Sequence, residues 1–140
     1  MTNDYEISKI LSATDTGENG CHQAGIHIPK DNHILNFFPV LDKEIKNPRL
    51  VICFKENSGK VWKFNFIYYN NKFFSGTRNE YRLTGTTGYI KQNNLKSGDE
   101  MRLTKNSVGL YFISFKKSTQ TKIEKSKVLK IGNEWRVISF

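Results

Sequence analysis

In Thr77-Arg78-Asn79-Glu80-Tyr81-Arg82-Leu83-Thr84, two arginines flank a glutamate at every second position. In an extended chain such residues share one face. A guanidinium fork donates two parallel hydrogen bonds to guanine, and a carboxylate accepts from the amino group of cytosine, so this trio matches the edges of G·C pairs in a major groove. Reading bases in this way is a different task from gripping phosphate, for which a positive charge suffices. The same spacing also suits a ladder of salt bridges on a solvated sheet face, and the rest of the chain has to decide between the two.

A second polar segment runs from Ser12 to Gly25, with glycine at positions 17, 20 and 25. Its short donors and acceptors, Asn19, His22 and Gln23 among them, can bring hydrogen bonds to phosphates and base edges. Read structurally, it is an ordinary surface loop with a turn at Asp15-Thr16-Gly17.

The composition points to a polyanionic partner. Against 13 Asp+Glu stand 22 Lys+Arg, a formal charge of +9, which favours a salt-sensitive association. At 140 residues a single domain is expected, burying roughly two-thirds of its unfolded surface. Cys21 and Cys53 are too few for a disulfide framework, and neither a signal-like opening nor a long apolar run is present, so a reducing cytoplasm and no membrane are expected. His22, His27, His33, Cys21 and Cys53 lack the spacing of a zinc site. Cys21-His22 on a strand would point to opposite faces and make no nucleophile and base pair. Asp42-Lys43-Glu44 and Asp99-Glu100 read as solvated loops rather than a magnesium nuclease centre. The lysines at 116, 117, 122, 125, 127 and 130 suit either a phosphate backbone or a solvated face.

The elements that must position these groups are mostly strands. From Val61 to Tyr69, Trp62, Phe64, Phe66 and Tyr68 alternate with Lys63, Asn65, Ile67 and Tyr69, the period of a half-buried strand. Shorter runs lie at Gly25 to Ile28, Leu50 to Phe54, Leu110 to Phe115, Lys127 to Ile131 and Trp135 to Phe140, divided by Asn/Gly/Ser turns. The first strand is expected to begin over Lys9 to Leu11. Pro29 and Pro39 bracket a short helix with Ile34, Leu35 and Phe38 on one face, and a single turn is expected over Asn93 to Gly98. Many short strands at this spacing suggest a closed or nearly closed barrel, with Trp62, Phe64, Phe66, Tyr68, Phe112 and Trp135 in its core.

Several strings together carry a resemblance. Ala13-Thr14-Asp15-Thr16-Gly17, Gly20-Cys21-His22-Gln23-Ala24-Gly25-Ile26-His27-Ile28-Pro29 and Thr77-Arg78-Asn79-Glu80-Tyr81-Arg82 resemble the amino-terminal effector domain of EcoRII-type restriction endonucleases. Ile28-Pro29-Lys30, Phe38-Pro39, Val61-Trp62-Lys63-Phe64, Tyr81-Arg82-Leu83-Thr84 and Leu95-Lys96-Ser97-Gly98-Asp99 are similar, in order, to landmarks of the plant B3 DNA-binding domain. The matches run from about Lys9 to about Met101.

The resemblance implies a mainly β, seven-stranded open pseudobarrel flanked by two short helices, with two arms that clamp the major groove of double-stranded DNA. His22 would read bases from the first arm, amid Asp15, Thr16, Asn19 and Gln23. Arg78, Glu80, Arg82 and Asn79 would read from the second, flanked by Thr77 and Tyr81. The family pattern has tyrosine where this chain has His27 and lysine where it has Gly76 and Tyr81; Lys72 and Lys91 are placed to compensate for the lost cations, and Lys30 is a further backbone contact. His27 could serve a phosphate if protonated or a base edge if neutral.

The implied function is the recognition domain of an EcoRII-like, type IIE restriction endonuclease in a bacterial cytoplasm, reading a site such as CCWGG (W is A or T). It would be monomeric alone and need no cofactor to bind DNA. Magnesium would serve a catalytic nuclease domain located beyond Phe140 or in a partner chain. The alternatives are a barrel that holds single-stranded nucleic acid on aromatics and a small metal-dependent nuclease with His22 as general base.

Overall fold

The computed structural model describes residues 4–18, 20, 25–118, 129–131 and 135–139. Among them are nine strands in one sheet: β1 Tyr5–Ile10, β2 Ile26–Ile28, β3 Arg49–Lys55, β4 Val61–Tyr69, β5 Glu80–Thr84, β6 Glu100–Lys105, β7 Tyr111–Lys116, β8 Leu129–Ile131 and β9 Trp135–Ser139. Their order is β2-β5-β4-β3-β7-β6-β1-β9-β8. Every pairing is antiparallel except β3 with β7, where Phe54 faces Tyr111 and Lys55 faces Phe112. That parallel seam joins two antiparallel halves.

The sheet curls without closing. Trp135 of β9 is fully buried, and its indole N–H donates to the His27 carbonyl of β2 at 3.0 Å. β2, at one end of the strand order, thus meets β9, the strand next to the other end, through a side chain rather than a backbone ladder among the described residues. Inside the curl, Phe54, Phe64, Phe66, Leu83, Tyr89, Leu103 and Trp135 form one continuous core. The fold is the open, mainly β pseudobarrel that was expected, with nine strands in place of seven.

β4 carries the alternation visible in the sequence: Phe64, Phe66 and Tyr68 are buried, and seven residue pairs lock the strand to β3, from Arg49 with Ile67 to Lys55 with Val61. Its far end is held by Asn70, a buried amide that donates to the Lys43 and Ile45 carbonyls and accepts from the Asn47 N–H. A single-turn helix, α2, covers Asn32–Leu35; the Asp31 side chain caps it by accepting from the His33 N–H at 2.8 Å.

Three local expectations need correction. The first strand begins at Tyr5, four residues earlier than expected; Ile7, Ser8 and Lys9 are all buried, so its inward and outward positions do not separate by polarity. The segment read as a plain loop contains a helical turn, α1, over Ala13–Thr16. A capping box starts it: Ser12 Oγ accepts from the Asp15 N–H, and the Asp15 carboxylate accepts from the Ser12 N–H. The third helix, α3, covers Thr87–Gln92 and ends where a turn had been expected to start. None of the described helices is long and apolar enough to cross a membrane.

Candidate nucleic-acid interface

The register of β5 sets the arginine and glutamate trio. Arg82 pairs with His27 of β2 on one side and Ile67 of β4 on the other, Glu80 pairs with Tyr69, and Thr84 pairs with Asn65. Residues paired across a ladder share a face, so His27, Arg82, Glu80 and Tyr69 lie together on the side of the sheet away from the core. The intervening residues point the other way. Tyr81 is only 6% exposed and stacks on Tyr68 at 4.2 Å between ring centres.

Arg78 precedes the strand and folds alongside it. Its Nη2 donates to Glu80 Oε2 at 2.8 Å, and its guanidinium lies 3.8 Å from the centre of the Tyr69 ring, a cation–π platform. Arg82 Nε donates to the same glutamate oxygen at 2.5 Å, and its Nη1 donates to the Gly25 carbonyl at 3.2 Å. The free chain thus forms the ladder that its spacing allows, and one carboxylate oxygen holds both forks. Among the described residues, Glu80 Oε1, Arg82 Nη2 and the Nε and Nη1 of Arg78 have no hydrogen bond, so an acceptor and several donors are left for a ligand.

Two titrating groups on this face are set by their neighbours. Desolvation pushes the Glu80 carboxyl up, but the hydrogen bonds from Arg82 and Arg78 and their charges outweigh it and hold the pKa below its ordinary value. Burial, then the Arg82 charge, holds the His27 imidazole below its ordinary value. The neutral imidazole, with one donor and one acceptor nitrogen, is therefore the form favoured at neutral pH.

Gly25 connects the two arms. Its φ is +79°, and a Cβ there would run into the Leu83 carbonyl; only glycine lets this stretch approach β5 closely enough to offer its carbonyl to Arg82. Upstream, Asp15 is held by Lys9 at 3.0 Å, with both side chains 6% exposed. Thr16 donates to Glu18, which also accepts from the Ser97 N–H at 2.6 Å. Asp15, Thr16, Gly25, Thr86 and Lys91 line a cleft of about 340 Å³ between α1 and α3. Asn19, His22 and Gln23 lie outside the described residues.

Of the other candidates, Lys30, Lys72, Thr77 and Lys91 are exposed. Asn79 Oδ1 accepts from the Tyr68 hydroxyl at 2.6 Å, which leaves the amide N–H donors for another partner. The structure brings Arg78, Glu80, Arg82 and His27 onto one face, whereas Asp15 and Tyr81 are turned inward. In the basic carboxy-terminal stretch, Lys117 bonds to Asp99 and to the Asn94 carbonyl, and Lys122, Lys125 and Lys127 lie outside the described residues. Tyr69 and Gly25 were not singled out from sequence. The alternation of β4 carried the signal for Tyr69, since it puts that ring on the face opposite Phe66 and Tyr68. Among the described residues, no three His, Cys, Asp or Glu side chains gather as a metal site.

Comparison with known proteins bears on most of the chain. A family model described as the N-terminal part of restriction endonuclease EcoRII matches residues 2–128. The type II restriction enzyme EcoRII of Escherichia coli is 36% identical over 86 residues, covering 59% of this chain and 21% of that enzyme. The AP2/ERF and B3 domain-containing transcription factor RAV1 of Arabidopsis thaliana is 25% identical over 107 residues, or 74% of this chain and 29% of that protein. This chain therefore spans less than a third of either relative. Among solved structures, the Arabidopsis FUS3–DNA complex superposes with a TM-score of 0.59 at 21% identity, over 79% of this chain and 95% of that one, which shows a shared fold. With the family match running from the first strand through the trio and beyond β7, the chain belongs to the family of EcoRII restriction endonuclease N-terminal domains.

Proposed function

We propose that this chain is a sequence-specific, double-stranded DNA-binding domain, the recognition or effector module of an EcoRII-like, type IIE restriction enzyme. It reads a short G·C-rich site such as CCWGG in the major groove, with the segment before β2 as one arm and the segment around β5 as the other. The observation that carries this reading is the geometry of Arg78, Glu80 and Arg82: two forks are held outward by one oxygen of a carboxylate whose other oxygen has no partner among the described residues. That is the donor and acceptor set for guanine and cytosine edges. The net charge of +9 supplies the sequence-independent attraction, and the family and fold agree with it. Cleavage is assigned to a separate catalytic domain, beyond Phe140 or in a partner chain, and the setting to a bacterial cytoplasm.

The test is a gel-shift titration in chelator at fixed salt, comparing a duplex that carries CCWGG with one in which the site is scrambled, each in excess random competitor. A complex on the intact site alone is expected, and the DNA stays uncut when magnesium replaces the chelator. Equal binding to both duplexes, with nothing enriched on selection from random duplexes, would overturn base reading. Preference for single strands would point to the aromatic-platform barrel, and cut DNA to a nuclease.

The pH dependence follows from the two shifted groups. Glu80 can hold both arginines with one oxygen and keep the other as a pure acceptor for cytosine only as a carboxylate, and its depressed pKa keeps it ionised until the solution is well into the acid range. His27 already favours its neutral form at neutral pH and gains no charge as the solution becomes alkaline. Discrimination between intact and scrambled sites should therefore be constant from about pH 8 to about pH 7 and collapse only below the ordinary carboxylate range. Fluorescence anisotropy across that range checks it; a collapse near pH 6 would assign the dependence to a histidine instead.

A further inference from the structure

Between β4 and β5 the chain makes a 3-10 turn, Asn71–Phe74, and then an irregular stretch that leads into Arg78. Asn71 closes this loop from both ends. Its side-chain oxygen accepts from the Arg78 N–H at 2.6 Å, and its backbone carbonyl accepts from the Gly76 N–H at 2.6 Å. The neighbouring Lys72 N–H donates to the Arg78 carbonyl at 2.9 Å. Both backbone polar groups of Arg78 are thus bound by residues 71 and 72, ahead of the strand that holds Glu80 and Arg82. The asparagine amide takes the place of a ladder carbonyl where no neighbouring strand is available.

The loop is also packed tightly on that side chain. A Cβ at Gly76 would lie 2.8–2.9 Å from the Asn71 side chain and carbonyl, and Ser75 adopts a left-handed φ of 72° to make the turn. Beyond this clamp, the Arg78 guanidinium rests on Tyr69 and bonds to Glu80, yet the side chain is 41% exposed. Its backbone is fixed, one face and one edge of the guanidinium are supported by Tyr69 and Glu80, and the rest of the fork is open to solvent. A long, flexible side chain prepared in this way loses less freedom on binding, and its direction is set in advance.

We infer that Asn71 is a positioning residue of the base-reading arm: it sets how sharply Arg78 discriminates its base pair and contributes little to the overall attraction for DNA. The inference rests on the base-reading function proposed above. With Asn71→Ala, Arg78 keeps its charge, so attraction to any duplex persists, but its N–H loses its acceptor and the loop slackens. Asn71→Asp keeps an acceptor of the same shape at the same place, so it restores direction while its negative charge weakens binding to every sequence.

The experiment measures the affinity of the intact chain for its preferred duplex and for random duplex, with fold monitored by circular dichroism. For Asn71→Ala the ratio of the two affinities should fall about tenfold, on the scale of one lost bidentate contact, with affinity for random duplex unchanged. Asn71→Asp should retain the wild-type ratio. Gly76→Ala, which pushes on the same contact from the opposite side, should lower the ratio as Asn71→Ala does and carries the test if that variant does not fold. An unchanged ratio in both Asn71→Ala and Gly76→Ala, or equal losses on both duplexes, would overturn the inference while leaving base reading intact. A wild-type chain that prefers no duplex would overturn both, and so separates the two failures.

Discussion

Replacing Arg82 with alanine should cost about 1–3 kcal/mol of binding to the preferred duplex and far less on random duplex. Two groups depend on this side chain at once, and it keeps a donor for a third. Its Nε helps hold the Glu80 carboxylate, its Nη1 reaches the Gly25 carbonyl of the first arm, and its Nη2 has no hydrogen bond among the described residues. Arg78→Ala should act in the same direction at a different base pair and by less, because its guanidinium is more exposed and does not link the arms. Arg82→Lys is the sharper probe: it keeps the charge but cannot donate as a planar fork, so it should retain random-duplex binding and lose most discrimination. Lys72→Ala or Lys91→Ala, at exposed positions beside the arms, should weaken all duplexes alike and shallow the salt dependence by about one ion. Titrations at several salt concentrations measure these quantities together. Equal losses on specific and random duplex for both arginine variants would mean that the trio is only a structural ladder.

Glu80 and Arg82 were legible in sequence because period two in a strand is a geometric fact; Arg78 precedes β5 and joins their side through Asn71, Tyr69 and Glu80. β4 was legible for the same reason. What the sequence obscured is where polar residues serve the fold. In β1 the inward-facing Lys9 breaks the polarity pattern, so the strand's start was placed at residue 9 rather than Tyr5. The signature of α1 is present as Ser12-Ala13-Thr14-Asp15, a capping box with aspartate in place of the usual glutamate, but the glycines that follow gave the segment the look of a loop. In α3, Gly88 and the strand-favouring Tyr89 and Ile90 hid a helix whose buried face packs Tyr89 against Trp62. Tyr81 shows the same limit in reverse. Next to two residues of the trio it reads as a further contact, and alternation turns it into the core. Partners distant in sequence, such as Gly25 for Arg82, come only from register.

Asp15→Ala is expected to be the most destabilising of the substitutions considered, at about 3–5 kcal/mol, because it leaves a buried ammonium without its counter-charge. Lys9 Nζ lies 3.0 Å from Asp15 Oδ2, both side chains are 6% exposed, and the lysine's other hydrogen bond is to the Ile10 carbonyl at 3.2 Å. The same carboxylate accepts from the Ser12 N–H at 3.0 Å, so alanine also removes half of the box that starts α1, a cap contribution of about 1 kcal/mol. If the buried charge is the main cost, adding Lys9→Met to Asp15→Ala should recover most of the loss and leave roughly the cap's share, since an apolar side chain of similar length needs no partner. Urea unfolding at neutral pH measures all three variants; a double variant as unstable as Asp15→Ala would assign the loss to the cap and the helix instead. The same series decides what Asp15 does for DNA. A folded double variant that still prefers its duplex shows that discrimination needs neither the Asp15 carboxylate nor its link to Lys9. One that is folded but indifferent to sequence would make Asp15 part of the discriminating arm, by placing it or by touching DNA.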